Sequence, residues 1–257
     1  MPIDLHVGVL VVGSLDWESK DYGGELSQRL VDSRVAWRSA RLRADKRSSR
    51  YVKVPIRYGR KSGKRGDSYT MVFSPERGVD LGVGKVITCR RTVSKIADLV
   101  DEAEELWAAE SEKKRRSRIS AQWGCVAIVV SPTFLDHEDA DERTKLLEDW
   151  RIRTEQEPNY GRLGFSDLDV QAAQGAALVD GRLNISWPKF MNHWPLSLDL
   201  ILLTATNPEL KARQQYPNPQ QIAEPWKNAD HSYYFRCNRH VGITTPDDDQ
   251  IVAFLDV

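Results

Sequence analysis

The feature that most limits how this chain can fold is an apolar run near its start. Residues 6 to 12 read HVGVLVV, and Gly13 and Ser14 end the run. A short run with no polar alternation is typical of a strand buried on both faces of a sheet. A glycine directly after such a strand lets backbone N–H groups approach a ligand, so the loop could hold a carboxylate or phosphate with amides alone. The alternative is a tight turn that needs Gly13 only for its shape.

The rest of the chain contains patterns of both strands and helices. Short segments rich in β-branched residues, or with polar alternation, predict strands at residues 34–44, 51–58, 68–74, 82–90, 123–131, 181–188 and 198–206. Apolar spacings of three and four, or an acidic start, predict helices at residues 92–116, 139–156 and 218–238, with a short helix near the end. We therefore expect an α+β fold, with one domain over residues 1–257. Its core would be residues 5–131, and residues 132–257 would form an α/β C-terminal extension packed on it.

Several protein classes do not fit this sequence. No apolar run reaches the roughly 18–20 residues that a membrane helix needs, and no secretory leader is evident. The three cysteines, Cys89, Cys125 and Cys237, are far apart and form no CxxC pair, which favours a reducing cytoplasm over a disulfide scaffold. The five histidines are scattered without metal-ligand spacing, so no metal site is expected.

Positive charge is concentrated in two stretches although the net charge is zero. Residues 38–65 hold twelve lysines or arginines and one aspartate, and residues 113–118 add five cations and no anion. Such segregation can create a surface that attracts phosphates, and the alternative is a pair of solvated loops. If the first stretch binds nucleic acid or a nucleotide phosphate, the candidate residues are Arg57, Arg60, Lys61, Lys64 and Arg65.

The segment VLVVGSLDW resembles the first strand and loop of the γ-glutamylcyclotransferase-like superfamily, whose loop reads aromatic-Gly-Ser/Thr-Leu. The next 90 residues also resemble the family in order: a basic segment with a tryptophan, a hairpin, the strand GVGKVITCR, and a helix with an acidic ending. The resemblance covers roughly residues 5–110. It implies a barrel-like mixed sheet with flanking helices, and a substrate loop formed by Val12, Gly13, Ser14 and Leu15. Val12 stands where the family has an aromatic residue.

The resemblance also implies a chemistry. The segment LVDEAEELW aligns Glu104 with the family's catalytic glutamate, and Glu102 and Glu105 are the neighbouring registers. Helical spacing puts Glu104 near the apolar face, where partial burial would raise its pKa towards that of a general acid/base, with Glu102 and Glu105 pointing further outward. The α-amine of a γ-glutamyl amide would attack its own γ-carbonyl and release 5-oxoproline and an amine. Neither a metal nor an organic cofactor is required, because the substrate supplies the proximity.

Two alternatives to an enzyme remain at this point. The same fold could bind a nucleic acid or nucleotide phosphate without chemistry, or it could be a protein-interaction module with a vestigial pocket. The aromatic and basic segment 229–251 could stack bases, although ordinary helix packing gives the same pattern. The oligomeric state and the identity of the substrate do not follow from the sequence.

Overall fold

The computed structural model describes residues 3–19, 28–45, 47–62, 68–74, 80–111, 118–160, 178–191, 196–208, 216–229 and 232–255. Its strands are β1 (Val7–Val11), β2 (Ser49–Val54), β3 (Ile56–Ser62), β4 (Ser68–Phe73), β5 (Gly82–Thr88), β6 (Ser120–Ala121), β7 (Gly124–Val130), β8 (Leu178–Val179), β9 (Arg182–Leu183), β10 (Lys189–Phe190) and β11 (Leu200–Thr206). Its helices are α1 (Gln28–Arg41), α2 (Ile96–Glu110), α3 (Ala140–Glu155), α4 (Pro219–Ala229), α5 (Tyr233–His240) and α6 (Asp248–Leu255).

Nine of these strands form one mixed sheet, in the order β10-β2-β5-β1-β11-β7-β9-β8 with β6 paired to β7. The strands β1 and β11 run parallel, and β1–β5, β2–β5 and β7–β11 are antiparallel pairs. The pair β3–β4 forms a separate hairpin, which follows β2 after Pro55. The α+β class is confirmed, but the strands that the structure describes form an open sheet rather than the closed barrel of the expected fold.

The central strands are buried on both faces, as the apolar run predicted. All five residues of β1 are buried, and α2 packs against β7, β11, α1 and α3. The predicted strands at residues 82–90, 123–131 and 198–206 and the helices at 92–116 and 139–156 are confirmed with shorter bounds, whereas 181–188 yields only β9. The predicted helix at residues 218–238 corresponds to α4, which runs through Pro225, and to α5.

The segment after residue 131 is built into the centre of the sheet. Its strand β11 lies between β1 and β7, and the short strands β8, β9 and β10 also come from it. The expected boundary near residue 131 therefore does not separate a self-contained core from an addition.

The prediction of a strand at residues 34–44 is wrong, because residues 28–41 form α1. The buried residues Leu30, Val31, Arg34 and Trp37 follow helical spacing, but one of them is charged. Arg38 also turns towards the protein, where it donates to the carbonyl oxygens of residues 15 and 18 at 2.6 Å each. Two inward-facing arginines replace the apolar residues by which the helical period would be recognised.

Two further observations concern the chain as a whole. No helix within the described ranges is both long enough and apolar enough to cross a membrane. All three cysteines are buried and none of them is in a disulfide bond, and burial raises the pKa of the Cys89 and Cys125 thiols.

Candidate functional site

A cavity of about 730 Å³ opens at one end of the central strands of the sheet. β1 and β11 end beside the cavity, and β7, which is antiparallel to β11, begins there. Three neighbouring strands therefore contribute to the rim of the cavity. The described residues of its lining come from the end of β1 and its loop (residues 10–15), from β3 and β4, from the end of α2, from the β6–β7 turn, and from β11, with a few side chains of other segments. The predicted loop residues Val12, Gly13, Ser14 and Leu15 all belong to this lining.

Arg34 of α1 connects the loop to the end of α2. It is 4% exposed, and it donates to the Ser14 hydroxyl at 2.6 Å and to the carboxylate of the buried Glu18. The same guanidinium donates to the Ala109 carbonyl oxygen at 3.0 Å and to the Glu110 carboxylate at 2.9 Å. Charge-assisted hydrogen bonds of this kind are stronger than neutral ones, so Arg34 holds the loop and Glu110 in a fixed relation.

The other side chains of the loop are also held in place. Lys85 of β5 donates to the Asp16 carboxylate at 2.9 Å, and Trp17 Nε1 donates to the Asn238 side-chain oxygen of α5 at 2.7 Å. These two contacts fix the part of the loop that follows the cavity-lining residues 12–15.

The backbone around Gly13 is shaped for close approach. An added Cβ at Gly13 would lie 2.6 Å from the Tyr234 hydroxyl of α5, so a larger residue would collide with this side chain. The carbonyl oxygens of Gly13 and Ser14 accept hydrogen bonds from Asp16 N and Glu18 N. Among the described residues, the N–H groups of Gly13 and Leu15 meet no hydrogen-bond acceptor. Two amides beside a cavity are suited to bind an anion.

A second group of side chains lies at the side of the cavity formed by the β6–β7 turn. Trp123 stacks on Trp107 of α2, with ring centroids 4.7 Å apart and planes at 22°. The Arg60 guanidinium of β3 lies over the Trp123 ring at 5.3 Å, and Arg118 also lines the cavity. Within the described part of the chain, Arg118 has no ion-pair partner. This side combines an indole surface with two cations.

The three glutamates predicted for catalysis lie outside the lining. Glu104 faces α3, where its carboxylate is 3.5 Å from the Arg153 guanidinium. Glu102 is buried and hydrogen-bonded to Arg41 at 3.0 Å, and burial raises its pKa. The Glu105 carboxylate is 3.4 Å from the Arg41 guanidinium. The expectation that Glu102 points outward is wrong, since Arg41 supplies the positive charge that lets this carboxylate enter the core face.

The cavity meets α2 only at its end. Trp107, Glu110 and Ser111 line it, and Glu110 is the one carboxylate among the described lining residues. Six residues of α-helix advance about 9 Å along the axis, which puts Glu104 more than one turn away from Glu110. The structure therefore does not bring Glu104 to the predicted loop, and it brings Glu110 there instead.

The described cations of the basic stretch at residues 38–65 do not all face the cavity. Arg38 and Arg41 are engaged inside the protein, as described above. Of the candidate phosphate ligands, Arg60 lines the cavity, whereas Arg57 does not, and Lys61 lies over the Tyr69 ring at 5.6 Å. Lys64 and Arg65 lie outside the described residues.

Sequence reasoning missed Arg34, Glu110 and Trp123, and it indicated Arg118 and Tyr234 only through the basic and aromatic stretches that contain them. Each comes from a different segment, and the signal for Arg34 was only its place among the apolar residues of α1. Trp123 immediately precedes a buried strand, which is a weak indication of a rim position.

Of the aromatic segment 229–251, Tyr234 lines the cavity, whereas Phe235 stacks on Trp226 of α4 at 5.0 Å, as helix packing predicts. No group of three or more His, Cys, Asp and Glu side chains that could hold a metal ion is found in the described part of the chain.

Comparison of the chain with protein-family models, with curated proteins and with solved structures finds no match in any of the three.

Proposed function

We propose that the protein is a cyclotransferase-like enzyme that acts on a γ-glutamyl-type amide in this cavity. The observation that carries the proposal is that the loop at residues 12–15 and the Glu110 carboxylate line one cavity and are joined by Arg34. An α-amino acid group needs an anion site and a carboxylate beside each other, and this arrangement offers both.

In the proposed complex, the α-carboxylate of the γ-glutamyl group accepts hydrogen bonds from the amides of Gly13 and Leu15. The α-ammonium group lies beside Glu110, which takes one proton from it as a general base. The neutral amine then attacks the γ-carbonyl carbon of the same molecule, and the bond between that carbon and the amide nitrogen breaks. The proton on Glu110 passes to the leaving nitrogen, and Glu110 then takes the second proton from the attacking nitrogen and passes it to the released amine. The products are 5-oxoproline and a protonated amine, and Glu110 is again a carboxylate; no water is consumed.

Arg34 is a positioning residue in this reaction. Its hydrogen bond to Glu110 restricts the rotamer of that carboxylate, and its hydrogen bond to Ser14 holds the loop beside it. The geometry gives the intramolecular attack its advantage, because both reacting groups are held before the reaction begins.

The test is release of 5-oxoproline from γ-glutamyl-alanine, followed by chromatography. We expect Glu110→Gln to reduce kcat/KM by about 10²–10⁴-fold, which is the usual contribution of a general acid/base. Glu104→Gln is the matched control, since it makes the same change on the same helix outside the cavity and should keep full activity. Undiminished release by Glu110→Gln, or loss of release only in Glu104→Gln, would contradict the proposal.

A further inference from the structure

A surface rich in arginine lies at the end of the central strands opposite the cavity. Cys89 N, just after β5, donates to the carbonyl oxygen of Val7 at the start of β1, whereas the cavity meets β1 at its end. Residues 41–50 and 88–95 together contain eight lysines or arginines and one aspartate. Because the net charge of the chain is zero, this concentration does not reflect a generally basic composition.

Backbone hydrogen bonds hold these two segments side by side. The Thr88 carbonyl oxygen accepts from Arg43 N at 3.0 Å, and Thr88 N donates to the Ser48 carbonyl oxygen at 2.8 Å. Arg90 N donates to the Arg41 carbonyl oxygen at 2.8 Å. The segment after β5 is therefore bonded to both ends of the loop that joins α1 to β2. Four exposed arginines are brought together in this way, and we call them the arginine surface: Arg43, Arg47, Arg90 and Arg91.

The loop that carries Arg43 and Arg47 has a fixed shape. The Asp45 carboxylate accepts from Arg47 N at 2.9 Å, and the Ser48 hydroxyl donates to the Asp45 carbonyl oxygen at 2.8 Å. Arg50 donates to the Arg47 carbonyl oxygen at 2.9 Å. The aspartate of the loop thus shapes its backbone, and a ligand of the arginines would not have to order the loop when it binds.

The acidic residues around this surface have other partners or lie at its border. Asp101 and Glu102 of α2 pair with Arg41, and Asp98 accepts two hydrogen bonds from the segment just before α2. Asp4 is exposed at the border, next to the Leu5–Val93 bridge. Within the described ranges, none of the four arginines of the arginine surface makes an ion pair. Their charges are available to an external anion.

The side chains of the surface indicate the chemistry of its partner. A guanidinium group presents a planar fork of donors that matches two oxygens of a phosphate. The exposed residues of the two segments that the structure describes include no aromatic or large apolar side chain before residue 51, so base stacking and insertion into a membrane have no support here. Arginines on a fixed backbone suit a polyanion whose phosphates are also fixed in place, as they are in a duplex.

We propose that the arginine surface binds the phosphate backbone of a nucleic-acid duplex without reading its sequence. This site lies away from the cavity and does not rest on the proposed function. It gives the protein a second, electrostatic interaction at the opposite end of the sheet.

The test is fluorescence anisotropy of a labelled DNA duplex mixed with the full chain at several salt concentrations. Contact with four phosphates predicts that the logarithm of the binding constant falls against the logarithm of salt concentration with a slope of about −3.6, because each neutralised phosphate releases counterions. Binding should therefore weaken about 150-fold between about 50 and 200 mM salt. Two duplexes of unrelated sequence should bind equally, since phosphate contacts carry no sequence information.

Arg43→Ala and Arg90→Ala should each reduce the magnitude of this slope by about one, and the double variant should reduce it by about two. Arg236→Ala is the matched control, because it removes an exposed arginine from α5, whose Tyr234 lies beside Gly13 at the cavity end of β1. This control should keep the slope of the parent protein. Circular dichroism of every variant should match that of the parent protein, since the substituted side chains are exposed.

The other outcomes would overturn the inference. These are an absence of binding at low salt, a slope that the double variant leaves unchanged, or a loss of binding only in Arg118→Ala, which would place the polyanion in the cavity. Binding to phosphatidylserine vesicles that the double variant loses, without binding to the duplex, would overturn it in favour of a membrane surface. Release of 5-oxoproline reports on the proposed function and should be unchanged in the double variant, so the two proposals can fail separately.

Discussion

The buried ion pair between Arg34 and Glu18 gives the strongest prediction about stability. The guanidinium is 5% exposed and the carboxylate is fully buried, and Arg34 makes a second ion pair with Glu110. Arg34→Met keeps an unbranched side chain in the same space but removes the positive charge beside Glu18. Removing one partner of a buried pair costs on the order of 3–5 kcal/mol of unfolding free energy, because the remaining charge is desolvated.

The matched control is Arg151→Met on α3. Arg151 also makes two ion pairs, with Glu148 and Glu155, but its partners are more than half exposed and their spacing is i,i+3 and i,i+4. Exposed pairs of this type contribute little, so we expect the unfolding midpoint of this variant to stay close to that of the parent protein. The number of ion pairs removed is the same in both variants, but the pairs of Arg34 are more buried, and Arg34→Met also removes its hydrogen bonds to the Ser14 hydroxyl and the Ala109 carbonyl oxygen.

The assay is unfolding by urea and by heat, followed by circular dichroism. For a chain of this size, a loss of 3–5 kcal/mol corresponds to a fall in Tm of roughly 10 °C. The double variant Arg34→Met/Glu18→Gln should recover part of this loss, since the fully buried side chain at position 18 is then uncharged. Equal shifts for Arg34→Met and Arg151→Met, or a double variant no more stable than Arg34→Met, would refute the reasoning.

Two further predictions concern packing and pH. Gly13→Ala should lower the free energy of unfolding by about 1–3 kcal/mol through overpacking, because the added Cβ would lie 2.6 Å from the Tyr234 hydroxyl oxygen. Adding Tyr234→Phe to this variant should restore part of the stability, since the nearest remaining ring atom would be 3.6 Å from the Cβ. Urea unfolding of both variants checks this, and an absence of relief would contradict it. Burial raises the pKa of Asp248 from 3.8 to about 6, so its ionised form is disfavoured in the folded state and stability is lost as pH rises from about 4 to about 6. Over that pH range, Asp248→Asn should gain about 2–3 kcal/mol relative to the parent protein, and a pH-independent difference would exclude this role.

The elements that could be predicted from the sequence are those whose burial follows a single period. β1, β7 and β11 are apolar over several consecutive residues, and α2 repeats apolar residues every three or four positions. α1 could not be predicted correctly because Arg34 occupies a buried position and carries a charge. Its stability comes from partners far along the chain, such as residue 110, which local pattern reasoning does not see.

The candidate site also contains one part that could be predicted from the sequence and another that could not. The loop after β1 could be predicted, because a glycine after a buried strand is a local signal. The carboxylate that lines the cavity could not be predicted. Glu104 and Glu110 lie on the same acidic helix, and the sequence does not show which part of that helix the cavity meets. Arg118 and Trp123 reach the cavity through the pairing of β7 with β11, which no local pattern encodes.

The position of β11 ties the site to the whole chain. This strand comes from the second half of the sequence and separates β1 from β7, and its residues Thr204 and Thr206 form the rim between the loop and Trp123. Without it, β1 and β7 would each lose a paired neighbour. The C-terminal half of the chain therefore shapes the candidate site through the sheet itself.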